Sequence, residues 1–242
     1  MNLPNAITVG RIAVTPLIAL LPLAGSVGAR VLAFVLFIVA AVTDYIDGTL
    51  ARNRNQITDL GKILDPLADK LLLLGTLIPM YLVGGGSTAW SPFASQTLFT
   101  LDPYARGLAR DLAFVTPFGA VGLPLWIVLL VLGRELAMTI FRQVAARRGV
   151  VIAAIGPAKW KTGLQWVWVG SAYFWFAYAT WLVSDWTPAH AATRRLAVGF
   201  AYVNGMVGTA AMAGAVVLTL WSLWLYVRRY GHLLAARRAP AR

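Results

Sequence analysis

Four aspartates lie within stretches of this 242-residue chain that otherwise have the composition of membrane-spanning helices. A carboxylate at membrane depth is costly, so an acidic residue in such a place marks a functional site by default. Four carboxylates brought together would also repel one another strongly unless cations neutralised them. The sequence therefore predicts a cation-binding site built from Asp44, Asp47, Asp65 and Asp69.

The spacing of these aspartates indicates how they meet. The first two are three positions apart and the last two are four positions apart, so each pair lies on one face of a helix. Gly48, Asn53 and Asn55 favour a break between the two helices. A helical hairpin would then join the two pairs into one cage of hard oxygen ligands, which suits Mg²⁺ or Mn²⁺.

The elements that hold these acids are apolar segments long enough to cross a bilayer. The chain is 59% hydrophobic and 12% charged, and a soluble domain would carry roughly twice that charged fraction. A membrane-spanning helix needs about 20 mostly apolar residues. We predict an all-α, polytopic membrane protein that forms a single domain over residues 1–242. Its six transmembrane helices are predicted near residues 6–25, 31–52, 61–83, 121–146, 160–183 and 198–227.

The placement of lysine and arginine predicts the orientation of these spans. Most of the basic residues fall on the inner side if both termini are cytoplasmic, so we predict an N-in, C-in topology. The aspartates then lie near the cytoplasmic face. Residues 84–120 form an extended outer loop, and residues 228–242 form a basic tail at the inner surface.

Composition excludes several kinds of site and partner. The chain has no cysteine, which excludes thiolate catalysis and cysteine metal sites. Its two histidines, His190 and His232, lie in predicted loop or tail segments, away from any site inside the membrane. The net charge is +12, but no basic run is interleaved with aromatic residues. We therefore predict membrane lipids, and no nucleic acid, as the partners of the excess positive charge.

The acidic stretch follows the pattern D-x2-D-G-x2-A-R-x8-G-x3-D-x3-D between residues 44 and 69. Eight fixed residues over 26 positions make a specific motif. All eight match the signature of the CDP-alcohol phosphatidyltransferase family, which the chain therefore resembles. The matching residues are Asp44, Asp47, Gly48, Ala51, Arg52, Gly61, Asp65 and Asp69.

The resemblance implies a reaction and a role for each position. Members of the family transfer a phosphatidyl group from a CDP-linked lipid to an alcohol and release CMP, using two divalent cations, Mg²⁺ or Mn²⁺. Asp69 is the implied catalytic base. The implied metal ligands are Asp44, Asp47, Asp65 and Asp69. The implied CDP-lipid-binding residues are Gly48, Ala51, Arg52 and Gly61. The resemblance also implies a homodimer in a bacterial-type cytoplasmic (inner) membrane.

Weaker features bear on the acceptor alcohol. The chain opens with P-N-x-x-T-x-x-R, carries R-E followed by arginine in the fourth span, and has K-x-K-T at the start of the fifth. These features resemble the phosphatidylglycerophosphate synthase branch of the family. That resemblance implies CDP-diacylglycerol as the donor and glycerol 3-phosphate, a dianion, as the acceptor. The implied acceptor-binding residues are Thr8, Arg11, Arg134, Arg142, Lys159 and Lys161.

Other interpretations stay open from the residues alone. Inositol phosphate, serine or phosphatidylglycerol could replace glycerol 3-phosphate, and a phosphorylated inositol would also need a basic pocket. The basic residues could instead be ordinary flanks of inward-facing span ends, and Arg134 with Glu135 could form an internal ion pair. A divalent-cation transporter is a different class. It is disfavoured because the acids are confined to one hairpin, with no second acidic layer across the membrane.

Overall fold

The computed structural model describes residues 3–53, 59–84, 90–91, 113–150, 156–184 and 191–230, and at some helical positions it describes the backbone alone. Within these residues the chain forms six long helices, a short 3₁₀ turn at Leu21–Ala24 and a small sheet. The helices are α1 (Leu3–Leu20), α2 (Val27–Asn53), α3 (Asp59–Gly84), α4 (Leu125–Arg147), α5 (Gly156–Ser184) and α6 (Ala191–Tyr230).

Each of the six predicted spans overlaps one of these helices, and the chain is an integral membrane protein. In the described part of the chain, four segments are long and apolar enough to cross a membrane: Asn5–Ala24, Val27–Asp44, Leu64–Gly84 and Arg195–Tyr230. Helix α4 falls short because it carries four charged residues, and α5 because it is rich in tryptophan and tyrosine. Six spans with both termini inside therefore stay a prediction.

Helix α5 contributes aromatic side chains to the centre of the bundle, where it packs against α2 and α6. Trp168 and Tyr173 on α5 are fully buried, and Tyr173 stacks on Phe37 of α2 with 5.5 Å between ring centroids. The Tyr173 hydroxyl donates a hydrogen bond to the Ile18 carbonyl oxygen of α1 at 3.1 Å. A buried phenol needs such a partner, so this bond fixes α1 against the aromatic core.

Helix α1 packs closely against α2 and α3. A Cβ atom placed on Gly75 of α3 would lie 2.8 Å from the Cγ2 atom of Thr15, so the two helices meet where glycine leaves room for a side chain. This close approach brings the N-terminal part of α1 beside the aspartates of α2 and α3.

A small antiparallel sheet lies within the segment that the sequence analysis treated as an irregular outer loop, and the prediction of an all-α fold omitted it. Strand β1 (Trp90–Ser91) pairs with β3 (Gly119–Val121), which pairs with β2 (Phe114–Thr116). Strands of two or three residues are too short to give a recognisable alternation of polar and apolar residues. The rest of the predicted loop, residues 85–89 and 92–112, lies outside the described residues.

Strand β2 packs against α6 at two glycines. A Cβ atom on Gly205 would lie 1.9 Å from the Val115 carbonyl oxygen, and one on Gly208 would lie 2.4 Å from the ring of Phe114. Both distances are far below van der Waals contact. The absence of side chains at these two positions of α6 therefore creates a groove, which is filled by the β-hairpin formed by β2 and β3.

Candidate functional site

Two helices, α2 and α3, carry the predicted aspartates. Helix α2 ends at Asn53 and α3 begins at Asp59. The predicted break stays a prediction, because residues 54–58 lie outside the described residues and Gly48, which was expected to favour the break, lies within α2. Asp44 lies in the last part of α2, whereas Asp65 and Asp69 lie one turn apart in the first half of α3. Carboxylates that are distant along the chain nevertheless lie close together, because they line one cavity.

Helix α1 contributes two buried polar side chains to these carboxylates. The Thr8 hydroxyl donates to Asp65 Oδ1 at 2.9 Å. The Arg11 guanidinium donates to Asp44, and its Nη1 atom lies 3.4 Å from Asp69 Oδ1. Because the Arg11 side chain is only 1% exposed, α1 inserts a fixed positive charge between the acids of α2 and α3.

A second polar cluster lies on α4, α5 and α6. Lys161 of α5 is buried and donates to Glu135 Oε1 of α4. Arg134 Nη1 donates to the same oxygen at 2.9 Å, and Arg134 Nη2 donates to the Ser222 hydroxyl of α6 at 3.1 Å. Burying charges is expensive unless they are paired and hydrogen-bonded. Glu135 pairs with both cations, and the bond from Arg134 to Ser222 extends the cluster to the third helix.

A cavity of about 470 Å³ separates the two clusters. One side, which we call the acidic wall, comes from α2 and α3 and includes Asp44, Asp65 and Asp69. The other side, which we call the basic wall, comes from α4 and α5. It includes Glu135, Thr139, Arg142, Gln143, Lys161, Thr162 and Gln165. The acidic wall also contains Lys70, so carboxylates predominate on one side and cations on the other of a space large enough for a small polar substrate.

The structure brings together five of the residues that the sequence assigned to a site. They line the cavity and are Asp44, Asp65, Asp69, Arg142 and Lys161. Thr8 and Arg11 are bonded to the aspartates, and Arg134 to Glu135 and Ser222. Among the described residues, these three do not line the cavity. The acceptor-binding roles assigned to Thr8, Arg11 and Arg134 stay predictions.

Gly61 is buried in the first turn of α3. For the remaining predicted site residues, the structure describes the helix backbone alone. They are Asp47, Gly48, Ala51, Arg52 and Lys159.

Several cavity residues were not assigned to the site from sequence, among them Glu135 and Gln165. Glu135 was treated as a possible internal partner of Arg134, whereas the structure makes it the shared partner of Arg134 and Lys161. The rule that an acid at membrane depth marks a site would have singled it out. Gln165 carries no such signal, because an uncharged amide in an aromatic-rich helix has no distinctive pattern.

The acidic wall fits a divalent cation by the chemistry of its donors, since carboxylate oxygens are hard ligands of the kind that Mg²⁺ and Mn²⁺ prefer. Within the described residues, no three acidic or histidine side chains converge on one point. The side chain of Asp47, one turn after Asp44, is outside that set. The chemical type of these ligands therefore supports cation binding, while their arrangement around a cation stays a prediction.

A sequence model of the CDP-alcohol phosphatidyltransferase family matches residues 1–221. The chain belongs to the CDP-alcohol phosphatidyltransferase family. It is therefore a membrane-bound transferase of phospholipid biosynthesis, and members of this family generally depend on divalent cations.

Curated relatives give a closer comparison within the family. The chain is 35% identical over 176 residues to the CDP-diacylglycerol–glycerol-3-phosphate 3-phosphatidyltransferase of Bacillus subtilis, covering 68% of this chain and 72% of that one. It is 32% identical over 172 residues to a probable phosphatidylglycerophosphate synthase of Mycobacterium tuberculosis, covering 70% and 64%. It is also 28% identical over 240 residues to a CMP-forming cardiolipin synthase of Oryza sativa, covering 97% and 59%.

Proposed function

We propose that this protein transfers the phosphatidyl group of CDP-diacylglycerol to glycerol 3-phosphate, releasing CMP and forming phosphatidylglycerophosphate. The observation that carries the proposal is the pair of opposed walls. A cation-binding acidic side suits a pyrophosphate donor, and a basic side suits a phosphorylated acceptor. The names of the bacterial relatives agree with this pairing.

The acidic wall is the donor side. Asp44, Asp47, Asp65 and Asp69 would hold two divalent cations, Mg²⁺ or Mn²⁺. These would neutralise the pyrophosphate and the charge that develops on its oxygens. Thr8 and Arg11 fix the carboxylates from behind, so the acids are already oriented before substrate arrives. Gly48, Ala51 and Arg52 follow on the same helix, and with Gly61 of α3 they are proposed to accommodate the CDP moiety.

The transfer step is a single displacement at phosphorus. A hydroxyl oxygen of the acceptor attacks the phosphorus that carries the diacylglycerol and forms the new P–O bond. The bond to CMP breaks, and CMP leaves with the electron pair. Asp69, which is largely exposed within the cavity, accepts the hydroxyl proton. Such a reaction depends mainly on positioning and charge neutralisation by the protein.

The basic wall is the acceptor side. Arg142, Lys159 and Lys161 are proposed to bind the phosphate of glycerol 3-phosphate through charge-assisted hydrogen bonds. An ammonium group has three donors, so Lys161 can keep its bond to Glu135 and still reach a ligand. Arg134 donates to Glu135 and is itself held by Ser222, so both are proposed as positioning residues for Lys161.

The proposed setting is a bacterial-type cytoplasmic membrane, with six spans, both termini inside and the cavity open to the cytoplasm. A soluble phosphorylated acceptor is available on that side, and the basic residues at inward-facing helix ends agree with this orientation. The homodimer implied by the family also stays a prediction.

An acceptor panel tests the proposed function. Purified protein receives CDP-diacylglycerol with Mg²⁺ and one acceptor at a time, namely glycerol 3-phosphate, phosphatidylglycerol, serine or inositol phosphate. CMP release and the lipid product are measured. We expect the highest kcat/KM with glycerol 3-phosphate. The plant relative makes phosphatidylglycerol the second candidate, and its dominance in the panel would reassign the acceptor. Cation transport without CMP release would refute the enzyme itself.

Replacing Arg142 with glutamine is expected to raise the KM for glycerol 3-phosphate about 10–100-fold, since a hydrogen bond to a charged group contributes about 1.5–3 kcal/mol. The KM for CDP-diacylglycerol should change little. Arg147→Gln is the matched control, because Arg147 is an exposed arginine in the last turn of the same helix and does not line the cavity. An equal effect of both substitutions would point to general membrane electrostatics instead.

Replacing Asp69 with asparagine is expected to lower turnover by about 10²–10⁴-fold, the usual contribution of a positioned general base. Affinity for the nucleotide lipid should fall far less, because the other aspartates remain as ligands. Binding of CDP-diacylglycerol is measured beside turnover in the presence of Mg²⁺. A parallel collapse of affinity and turnover would make Asp69 chiefly a metal ligand and remove it as the base.

A further inference from the structure

Gln165 has an unusual position in the basic wall. It lies on α5 one turn after Lys161, lines the cavity and is 7% exposed. Its side-chain nitrogen is buried and has no hydrogen-bond partner among the described residues. Other described side chains with a buried unpaired atom, such as Trp168 and Trp175, do not line this cavity.

An unpaired amide in such a place calls for an explanation, because the large majority of buried polar side-chain atoms have a partner. Leaving one unsatisfied costs about 1–3 kcal/mol. A polar group of a molecule bound in the cavity would remove that cost. Gln165 is therefore placed to bind a ligand rather than to stabilise the empty protein.

The chemistry of the amide selects the kind of group that it binds. Arg142 and Lys161 carry positive charge and therefore bind the phosphate of the acceptor more strongly than a neutral amide would. The amide is neutral and can both donate and accept, so a hydroxyl is its natural partner. Lys161 and Gln165 are one turn apart on the same helix, about 6 Å along the axis. That separation matches a small phosphorylated alcohol.

We infer that Gln165 binds the C2 hydroxyl of glycerol 3-phosphate and so selects acceptors that carry a hydroxyl at that carbon. The inference rests on the proposed function. In that reaction the phosphate lies at the basic residues and the attacking hydroxyl lies at Asp69. The C2 hydroxyl is the remaining polar group of the acceptor, and Gln165 is the described residue of the wall whose buried side-chain nitrogen lacks a partner.

Paired acceptors provide the test. Glycerol 3-phosphate is compared with 3-hydroxypropyl phosphate, which lacks only the C2 hydroxyl, in the full-length enzyme with Mg²⁺ and CDP-diacylglycerol. We expect wild type to favour glycerol 3-phosphate by about 10–100-fold in kcat/KM, as a lost hydrogen bond to a buried group predicts. Gln165→Met should reduce this preference to within about threefold and should leave kcat/KM for 3-hydroxypropyl phosphate close to wild type.

Gln143→Met is the matched control, since Gln143 is a glutamine of the same wall that is exposed, and it should keep the preference. Thermal unfolding shows whether each variant is folded. If Gln165→Met is not folded, Gln165→Leu is used in its place. A wild-type enzyme without the preference, or a folded Gln165 variant that keeps it, would overturn the inference. If glycerol 3-phosphate gave no product with wild type, the proposed function itself would have failed.

Discussion

Replacing Asp65 with asparagine is expected to lower turnover by about 10²–10³-fold, the loss that follows removal of one preorganised electrostatic partner of a transition state. Asp44→Asn should have a similar effect. Both residues line the acidic wall, where asparagine offers an oxygen but no charge. The expected loss follows from weaker cation binding, so the variants should also need a higher concentration of Mg²⁺ or Mn²⁺ for half-maximal turnover.

Asp59→Asn is the matched control, because Asp59 belongs to the same acidic stretch but is not a fixed position of the motif. It should retain turnover within a few-fold. Chelation of divalent cations should abolish wild-type activity, and added Mg²⁺ or Mn²⁺ should restore it. Near-normal turnover in a folded Asp44 or Asp65 variant, or wild-type activity that persists in chelator, would contradict a cation-dependent acidic wall.

Replacing Gly205 with alanine is expected to lower the melting temperature of the detergent-solubilised protein markedly. The added methyl group would lie 1.9 Å from the Val115 carbonyl oxygen, which is backbone and cannot rotate away. Overpacking of this kind costs about 1–3 kcal/mol and occasionally more. The β-hairpin formed by β2 and β3 would have to leave the groove on α6. Limited proteolysis should therefore cut residues 113–121 faster than in wild type.

Gly199→Ala supplies the comparison on the same helix, because nothing lies within 4 Å of a Cβ atom at that position. There alanine should be neutral or slightly stabilising, since glycine costs about 1 kcal/mol relative to alanine in a helix interior. If Gly205→Ala and Gly199→Ala gave equal melting temperatures, the hairpin would not be held in the groove as described.

The features that the sequence predicted are the ones that depend on residues close together along the chain. Spacing of three and four positions predicted that the aspartates lie on helices, and α2 and α3 carry them. The break expected from Gly48, Asn53 and Asn55 stays a prediction, since residues 54–58 lie outside the described residues and Gly48 lies within α2. Local hydrophobic composition likewise predicted a helix in each of the six apolar segments. Such signals need no knowledge of tertiary packing.

The features that the sequence missed depend on partners far apart in the chain. Glu135 and Lys161 are separated by 26 positions, and Arg134 and Ser222 by 88. Neither pair has a spacing that predicts contact. Arg11 was assigned to the acceptor because its type and place in the opening motif suggested a phosphate ligand. Its contacts with Asp44 and Asp69 became visible only when α1 was packed against α2 and α3.

The acidic and basic walls come from separate stretches of the chain, residues 44–76 and residues 135–169. Substitutions that reshape the second stretch therefore leave the aspartates of the first untouched. During evolution, a lineage could acquire a new acceptor by successive point mutations, or by recombination within the C-terminal portion of the gene. The proposed donor side would stay intact along that route.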